Sequence, residues 1–109
     1  MVGGLIGRGA ILRLASPVGD RRQLDWDVVR AALEATGTGG DMSDILVRPE
    51  DVAIGSEGVP ALVDSVLYEG ERYAVKLLLA DGQVLRAFSR ERVSAGDNVM
   101  VAVRSAWRL

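Results

Sequence analysis

The amino-acid sequence predicts a mainly β domain, a small antiparallel barrel or sandwich that carries one α-helix in its N-terminal third. Two observations lead to this fold class. After Ile45 the chain is a series of short apolar runs separated by Gly, Pro and Asp, which is typical of strands and turns. Earlier, between Trp26 and Leu33, apolar residues recur at helical spacing instead.

Composition places the chain among globular proteins and removes several kinds of site. Its 109 residues are enough for one domain with its own core, because 49% of them are hydrophobic and only 26% are charged. It contains neither cysteine nor histidine, which excludes thiolate nucleophiles, imidazole bases and metal sites built from these ligands. A net charge of −2, with scattered Lys and Arg, lacks the basic surface of a nucleic-acid-binding protein. We therefore expect no nucleic-acid partner.

The N-terminal third is predicted to begin with a β-hairpin. In the run GAILRLA, Ile11, Arg13 and Ala15 alternate with Leu12 and Leu14, and SPVGD supplies Pro and Gly for a turn before RRQLDW. Further along, the glycine-rich residues 36–44 show no periodicity and are predicted to form an exposed connector.

A helix is predicted between the hairpin and the connector. Trp26, Val29 and Leu33 fall on one face at helical spacing, so we expect Trp26 to pack on the strands. Asp25 or Asp27 caps this helix, because either side chain can accept the free amides of the first turn.

The stretch ILVRPEDVAIG, residues 45–55, separates two apolar runs by a proline and two carboxylates. Pro49 removes a ladder donor and pushes Arg48 into an extended conformation, so we expect the strand to end there and restart at Val52. Glu50 and Asp51 could instead form a catalytic or metal-binding pair. Adjacent side chains point apart, however, and no third ligand lies at a useful spacing. The favoured interpretation is a solvated corner with no catalytic residue and no metal.

Strand features continue to the end of the chain. In PALVDSVLYEG the apolar spacing slips from two to three between Val63 and Val66, which predicts a β-bulge. RYAVKLLLADGQVLRAFS predicts a hairpin whose two-residue turn is Asp81 and Gly82, both able to take positive φ. Alternating valines and a last short run through Trp107 close the sheet.

These segments together resemble the TOBE domain, the OB-like β-barrel that follows the nucleotide-binding domain in the ATP-binding subunits of many ABC importers. The resemblance covers residues 45–109 closely, and GGLIGRGAILRL is similar to the passage by which such subunits leave the ATPase domain. The positions that match the family motif or its fold are Arg48, Pro49, Glu50, Asp51, Val63, Val66, Tyr68, Gly70, Asp81 and Gly82. The resemblance implies one OB-fold-like domain over residues 1–109, with residues 1–44 as N-terminal strands, helix and connector and residues 45–109 as the antiparallel barrel.

The resemblance also implies an accessory role in transport and no enzyme activity for this chain. Such domains touch their twin at the cytoplasmic end of the ATPase dimer, and some receive a regulatory protein or ligand. The implied partners are a second copy, the chain's own ATPase domain and, indirectly, the permease subunits at the inner face of the plasma membrane. Since no Gly-x-x-x-x-Gly-Lys-Ser/Thr motif occurs, ATP and Mg²⁺ would belong to an ATPase domain absent from this chain, and no cofactor is expected here.

Three side chains are candidates for contacts with other molecules. The guanidinium of Arg48 could bind a small anion, while Tyr68 and Trp107 could anchor a partner protein. Two alternative functions are left open. One is a small oxyanion-binding protein of the molybdate type, and the other, less favoured, is an OB-fold nucleic-acid-binding module, which needs more stacking aromatic residues than this chain offers.

Overall fold

The computed structural model describes residues 9–15, 22–34 and 42–109 and confirms a mainly β fold with one α-helix in the N-terminal third. In chain order the elements are β1 (Ala10–Ala15), β2 (Gln23–Asp25), α1 (Trp26–Glu34), β3 (Met42–Val47), a 3₁₀ turn (Pro49–Asp51), β4 (Val52–Gly55), β5 (Val59–Tyr68), β6 (Tyr73–Leu79), β7 (Val84–Ser89), β8 (Asn98–Val103) and β9 (Ser105–Arg108).

The strands form two antiparallel sheets around one hydrophobic core. The four-stranded sheet has the order β1-β3-β9-β2, and the five-stranded sheet has the order β4-β8-β5-β6-β7. The largest fully buried side chains come from both sheets and the helix: Leu12, Leu24, Ile45, Leu77, Leu85, Val29, Val47, Val63, Val101 and Val103. Within the described ranges, no polar or charged residue is buried.

The predicted barrel is OB-like but not sealed by hydrogen bonds. The five-stranded sheet curls until its edge strands β4 and β7 touch, yet in the part of the chain that the structure describes no ladder joins them. The barrel prediction is therefore correct in strand content and antiparallel arrangement. The strands form two sheets, however, and not one closed cylinder.

The predicted N-terminal hairpin is wrong in its pairing. β1 pairs with β3 from Ala10↔Val47 to Ala15↔Met42, whereas β2 pairs with β9, so β1 and β2 lie at opposite edges of the four-stranded sheet. β3 offers β1 six paired positions, while β2 is only three residues long. The strand β3 also begins at Met42, inside the segment predicted as connector, and the SPVGD turn lies outside the described residues.

The helix confirms the sequence prediction closely. The Val28 N–H donates to Asp25 Oδ1 at 3.0 Å, which identifies Asp25 as the cap. Val29 is fully buried, and Trp26 and Leu33 are half-buried against the core. The helix therefore covers one end of the core with its predicted face.

Gly58 is a point of close backbone approach. Its φ is +125°, and a Cβ built on it would lie 1.9 Å from the carbonyl oxygen of Val101. Val101 is fully buried on β8, where it pairs with Ile54 on one side and Val59 on the other. This geometry requires glycine, because any side chain would overlap a strand held from both sides.

Candidate functional surfaces

The proline segment forms a corner that carries the chain from one sheet to the other. Arg48 is extended, with φ −87° and ψ 145°, and the buried Pro49 opens the 3₁₀ turn. The Asp51 N–H donates to the Arg48 carbonyl at 3.0 Å, and the Val52 N–H donates to the Pro49 carbonyl. Because β3 belongs to the four-stranded sheet and β4 to the five-stranded sheet, the expected strand break is confirmed and its purpose is a sheet crossing.

Arg104 joins this corner to a second sheet crossing. It lies between β8 of the five-stranded sheet and β9 of the four-stranded sheet. The backbone N–H of Arg104 donates to the Asp51 carbonyl at 2.7 Å, and its side-chain Nη2 donates to the Glu50 carbonyl at 3.1 Å. Sequence reasoning did not identify Arg104. The available signal was the inward spacing, which slips from two to three between Val103 and Ala106.

The two carboxylates of the corner do not converge on one site. The exposed Glu50 lines a surface cavity of about 500 Å³ together with Glu71, Arg72, Phe88, Ser89 and Arg90. Asp51 does not line this cavity. Among the residues that the structure describes, no group of three acidic, His or Cys side chains is placed to hold a metal ion. The geometry at the corner is that of a structural turn.

The Arg48 side chain lies on the surface without an ion-pair partner among the described residues. Its side chain is exposed, and no described carboxylate lies within ion-pair distance of it. An anion contact at Arg48 stays a prediction.

The predicted bulge lies in β5 and the strand ends in an aromatic tip. Val63 pairs with Leu77 but Ser65 pairs with Lys76, so one residue, Asp64, is extra. Val63 is buried and Val66 is half-buried against the core, as their motif spacing requires.

At the tip of the β5–β6 hairpin, two tyrosine rings pack together. The ring centroids of Tyr68 and Tyr73 are 5.0 Å apart, and the Tyr68 hydroxyl donates to the Gly70 carbonyl, where φ is +94°. Tyr68 is 61% exposed and its neighbour Leu67 is 65% exposed. Tyr68 is thus held in place while its ring remains accessible, which suits a contact residue.

The Asp81-Gly82 turn differs from the prediction by one residue. The Gly82 N–H donates to the Leu79 carbonyl at 2.9 Å, and the Leu79 N–H donates to the Gln83 carbonyl at 2.8 Å, which makes a three-residue loop. Gly82 takes positive φ, at +89°, but Asp81 does not. Asp81 Oδ1 instead accepts the Gln83 N–H at 2.9 Å, so its role is local hydrogen bonding.

Gln83 connects this turn to the edge strand β1. The Arg13 N–H donates to Gln83 Oε1 at 2.6 Å, and Gln83 Nε2 donates to the Arg13 carbonyl at 3.0 Å. The side-chain amide therefore occupies backbone groups that an edge strand would offer to another chain. Asp81 Oδ2 accepts from the same Nε2 at 2.7 Å and fixes its orientation.

An apolar row crosses the solvent face of the four-stranded sheet. Ile11 of β1 is opposite Leu46 of β3, which is opposite Trp107 of β9. Ile11 is 43% exposed and Trp107 is 37% exposed. We call Ile11, Leu46 and Trp107 the outer row. It places Trp107, on the inner strand β9, at one end of an apolar surface that can accept a partner.

Comparison with known proteins identifies the family to which these surfaces belong. No helix in the described ranges has the length and apolar character needed to cross a membrane. No curated protein matches the chain. The family model for the TOBE domain matches residues 45–108, which include the corner, the bulged strand, the aromatic tip and Trp107. This match covers more than half of the sequence, and the chain belongs to the TOBE domain family.

Proposed function

We propose that this chain is the C-terminal accessory domain of the ATP-binding subunit of an ABC-type importer and supports ATP-driven solute transport. The observation that carries the proposal is the TOBE match over residues 45–108, since TOBE domains are typical regulatory or accessory domains of ABC transporter ATPases or of molybdate-binding proteins. In this role the chain catalyses no reaction, and ATP and Mg²⁺ bind to the ATPase domain.

The described geometry supports a binding role for the domain. Glu50 and Asp51 do not converge, and their backbone carbonyls serve as acceptors for Arg104. The two sheets are joined at the corner and again by Gln83, which gives a firm frame. A firm frame can pass a displacement of a neighbouring domain to a bound partner.

The proposed partners are a second copy of the chain, its own ATPase domain and, indirectly, the permease subunits, at the cytoplasmic face of the plasma membrane. The outer row favours the four-stranded sheet as the dimer surface, because Trp is enriched among residues that dominate binding energy. The aromatic tip with Tyr68 is a second exposed surface, and it suits a regulatory protein.

Two experiments test the transport role. The reading frame upstream of this segment is expected to encode a nucleotide-binding domain with a Gly-x-x-x-x-Gly-Lys-Ser/Thr motif. In the full-length subunit, deletion of this segment is expected to reduce solute import in cells more than ATP hydrolysis by the purified protein. An unrelated upstream sequence, or import unaffected by the deletion, would contradict the proposal.

The family membership also supports a second candidate, an oxyanion-binding protein of the molybdate type. Thermal denaturation with molybdate, tungstate, sulfate and phosphate distinguishes the two candidates, because a ligand that binds only the folded state raises the melting temperature. A rise with molybdate that disappears in Arg48→Gln would favour this alternative.

A further inference from the structure

A basic row crosses the solvent face of the five-stranded sheet. Ser65 of β5 is opposite Lys76 of β6, and Lys76 is opposite Arg86 of β7. Lys76 alternates with the buried Val75 and Leu77, so these side chains lie on the outer face. We call Ser65, Lys76 and Arg86 the basic row.

The charges of this row are only partly compensated. Lys76 Nζ lies 3.6 Å from Asp64 Oδ2, the carboxylate of the extra residue in the bulge. Within the described part of the chain, the Arg86 side chain forms no hydrogen bond and no ion pair. Like charges directly opposite each other in an antiparallel pair destabilise the sheet. A bound anion between Lys76 and Arg86 would remove this repulsion.

An apolar slot lies beside the basic row. The neighbouring positions on the same face are Leu67, Ala74 and Phe88, in register across β5, β6 and β7. Ala74 is small and lies between two large side chains, so it forms the floor, and its walls are about 10 Å apart because neighbouring strands are about 4.8 Å apart. The guanidinium of Arg72 lies 3.5 Å from the centre of the Phe88 ring and supports that wall.

The slot and the basic row line one cavity of about 350 Å³. This volume lies at the lower end of the range for small-molecule sites, about 300–1,000 Å³. Glu69 also lines it, with Oε1 held 3.4 Å from Arg72 Nε. Successive positions on one face of a strand are about 7 Å apart, so the basic row and the floor of the slot at Ala74 are separated by about this distance.

We propose that this cavity binds a small organic anion, in which one carboxylate or phosphate group is attached to a ring or short apolar chain. Arg86 and Lys76 bind the anionic oxygens, with Ser65 as a hydroxyl donor, and Leu67, Ala74 and Phe88 contact the apolar part. The inference goes beyond the transport role, because it concerns binding by this chain alone. Its test does not depend on whether the chain belongs to a transport ATPase.

A titration of the ¹⁵N-labelled chain followed by amide NMR shifts tests the proposal. Benzoate and phenyl phosphate, the two probes for the carboxylate and phosphate forms, are expected to shift residues 65–67, 74–76 and 86–88. At least one of them must do so. Benzamide, which has the same shape without the charge, is expected to cause no such shifts. Inorganic phosphate has the charge without the ring, so it makes no apolar contact with Leu67, Ala74 and Phe88. It is therefore expected to bind about tenfold more weakly, which corresponds to about 1.4 kcal/mol.

Two variants and a control separate the parts of the site. Arg86→Gln is expected to weaken the better probe about tenfold or more, the usual effect of a lost charge-assisted hydrogen bond. Ala74→Leu fills the slot and is expected to abolish the shifts. Arg13→Gln, which changes an exposed strand arginine on the other sheet, is expected to bind like the parent chain.

Several results would overturn the proposal. They are the absence of shifts with both probes, shifts confined to other residues, equal binding of benzamide or inorganic phosphate, or an equal loss in Arg86→Gln and Arg13→Gln. Amide dispersion of each variant shows whether it is folded. If Ala74→Leu does not fold, the comparison of Arg86→Gln with Arg13→Gln decides alone.

Discussion

Replacing Gly58 by alanine gives the largest stability change that we expect from a single methyl group in this domain. The new Cβ would lie 1.9 Å from the Val101 carbonyl oxygen and 2.5 Å from its carbon, while real Cβ atoms essentially never approach closer than 3.0 Å. The backbone must therefore move by about 1 Å, a shift that counts as overpacking at about 1–3 kcal/mol. The φ of +125° adds strain of about 1–3 kcal/mol for a residue with a Cβ.

Together these two costs give a loss of about 2–6 kcal/mol in the free energy of unfolding, out of a total of about 5–15 kcal/mol for a typical domain. The corresponding fall in melting temperature is about 8–24 °C, at about 4 °C per kcal/mol for a domain near this size. Val101 cannot relieve the overlap easily, because it pairs with strands on both sides.

Urea unfolding of the chain, followed by tryptophan fluorescence and far-UV circular dichroism, measures this loss. Gly96→Ala is the matched control, because Gly96 also has positive φ, at +94°, but a Cβ there would meet nothing within 4 Å. It is expected to cost only the backbone strain, about 1–3 kcal/mol, without the added cost of the steric overlap. A Gly58→Ala variant that loses no more stability than Gly96→Ala would refute the steric argument.

Three further changes test the remaining elements. Asp25→Ala is expected to lower the free energy of unfolding by about 1 kcal/mol through loss of the helix cap, whereas Asp27→Ala is expected to change it little, as measured by urea unfolding. Gln83→Ala removes the amide that covers the edge of β1, so we expect a loss of about 1–2 kcal/mol and faster aggregation by light scattering; Gln23→Ala, whose bond to Ser105 is 3.4 Å long, is expected to lose less. Trp107→Ser is expected to weaken self-association at least about tenfold in sedimentation velocity, because truncation of a tryptophan that dominates an interface costs about 2 kcal/mol or more.

The outcomes that contradict these predictions are distinct. Equal effects of Asp25→Ala and Asp27→Ala would assign the stabilisation to charge near the helix end and not to the cap. Unchanged aggregation of Gln83→Ala would show that β1 is protected by other groups. For the dimer, Tyr68→Ser is the control on the aromatic tip, and a larger effect there than in Trp107→Ser would move the interface away from the outer row.

Features that depend on neighbouring residues could be predicted from the sequence. Pro49 lacks a donor, so the end of β3 follows from that residue alone. The slip in spacing between Val63 and Val66 marks the bulge because side-chain direction alternates strictly along a strand. The sequence limits the helix cap to Asp25 or Asp27, and the structure selects Asp25, whose carboxylate accepts the amide of Val28.

Features that depend on distant parts of the chain could not be predicted in the same way. β1 pairs with β3 and not with β2, a choice made by the number of paired positions and the core they bury. The three-residue loop before Gln83 is fixed partly by Arg13, 70 residues earlier. The basic row exists only once the register of three strands is known, since Lys76 and Arg86 carry no motif.

The two sheet crossings have a mechanical consequence. A protein made of two stacked sheets could in principle let one layer slide over the other when a neighbouring domain pulls on it. Here Arg104, on the second crossing, donates hydrogen bonds to the carbonyls of Glu50 and Asp51 on the first crossing. The two connections between the sheets are therefore bonded to each other. We therefore expect a torque applied to one sheet to rotate both sheets together.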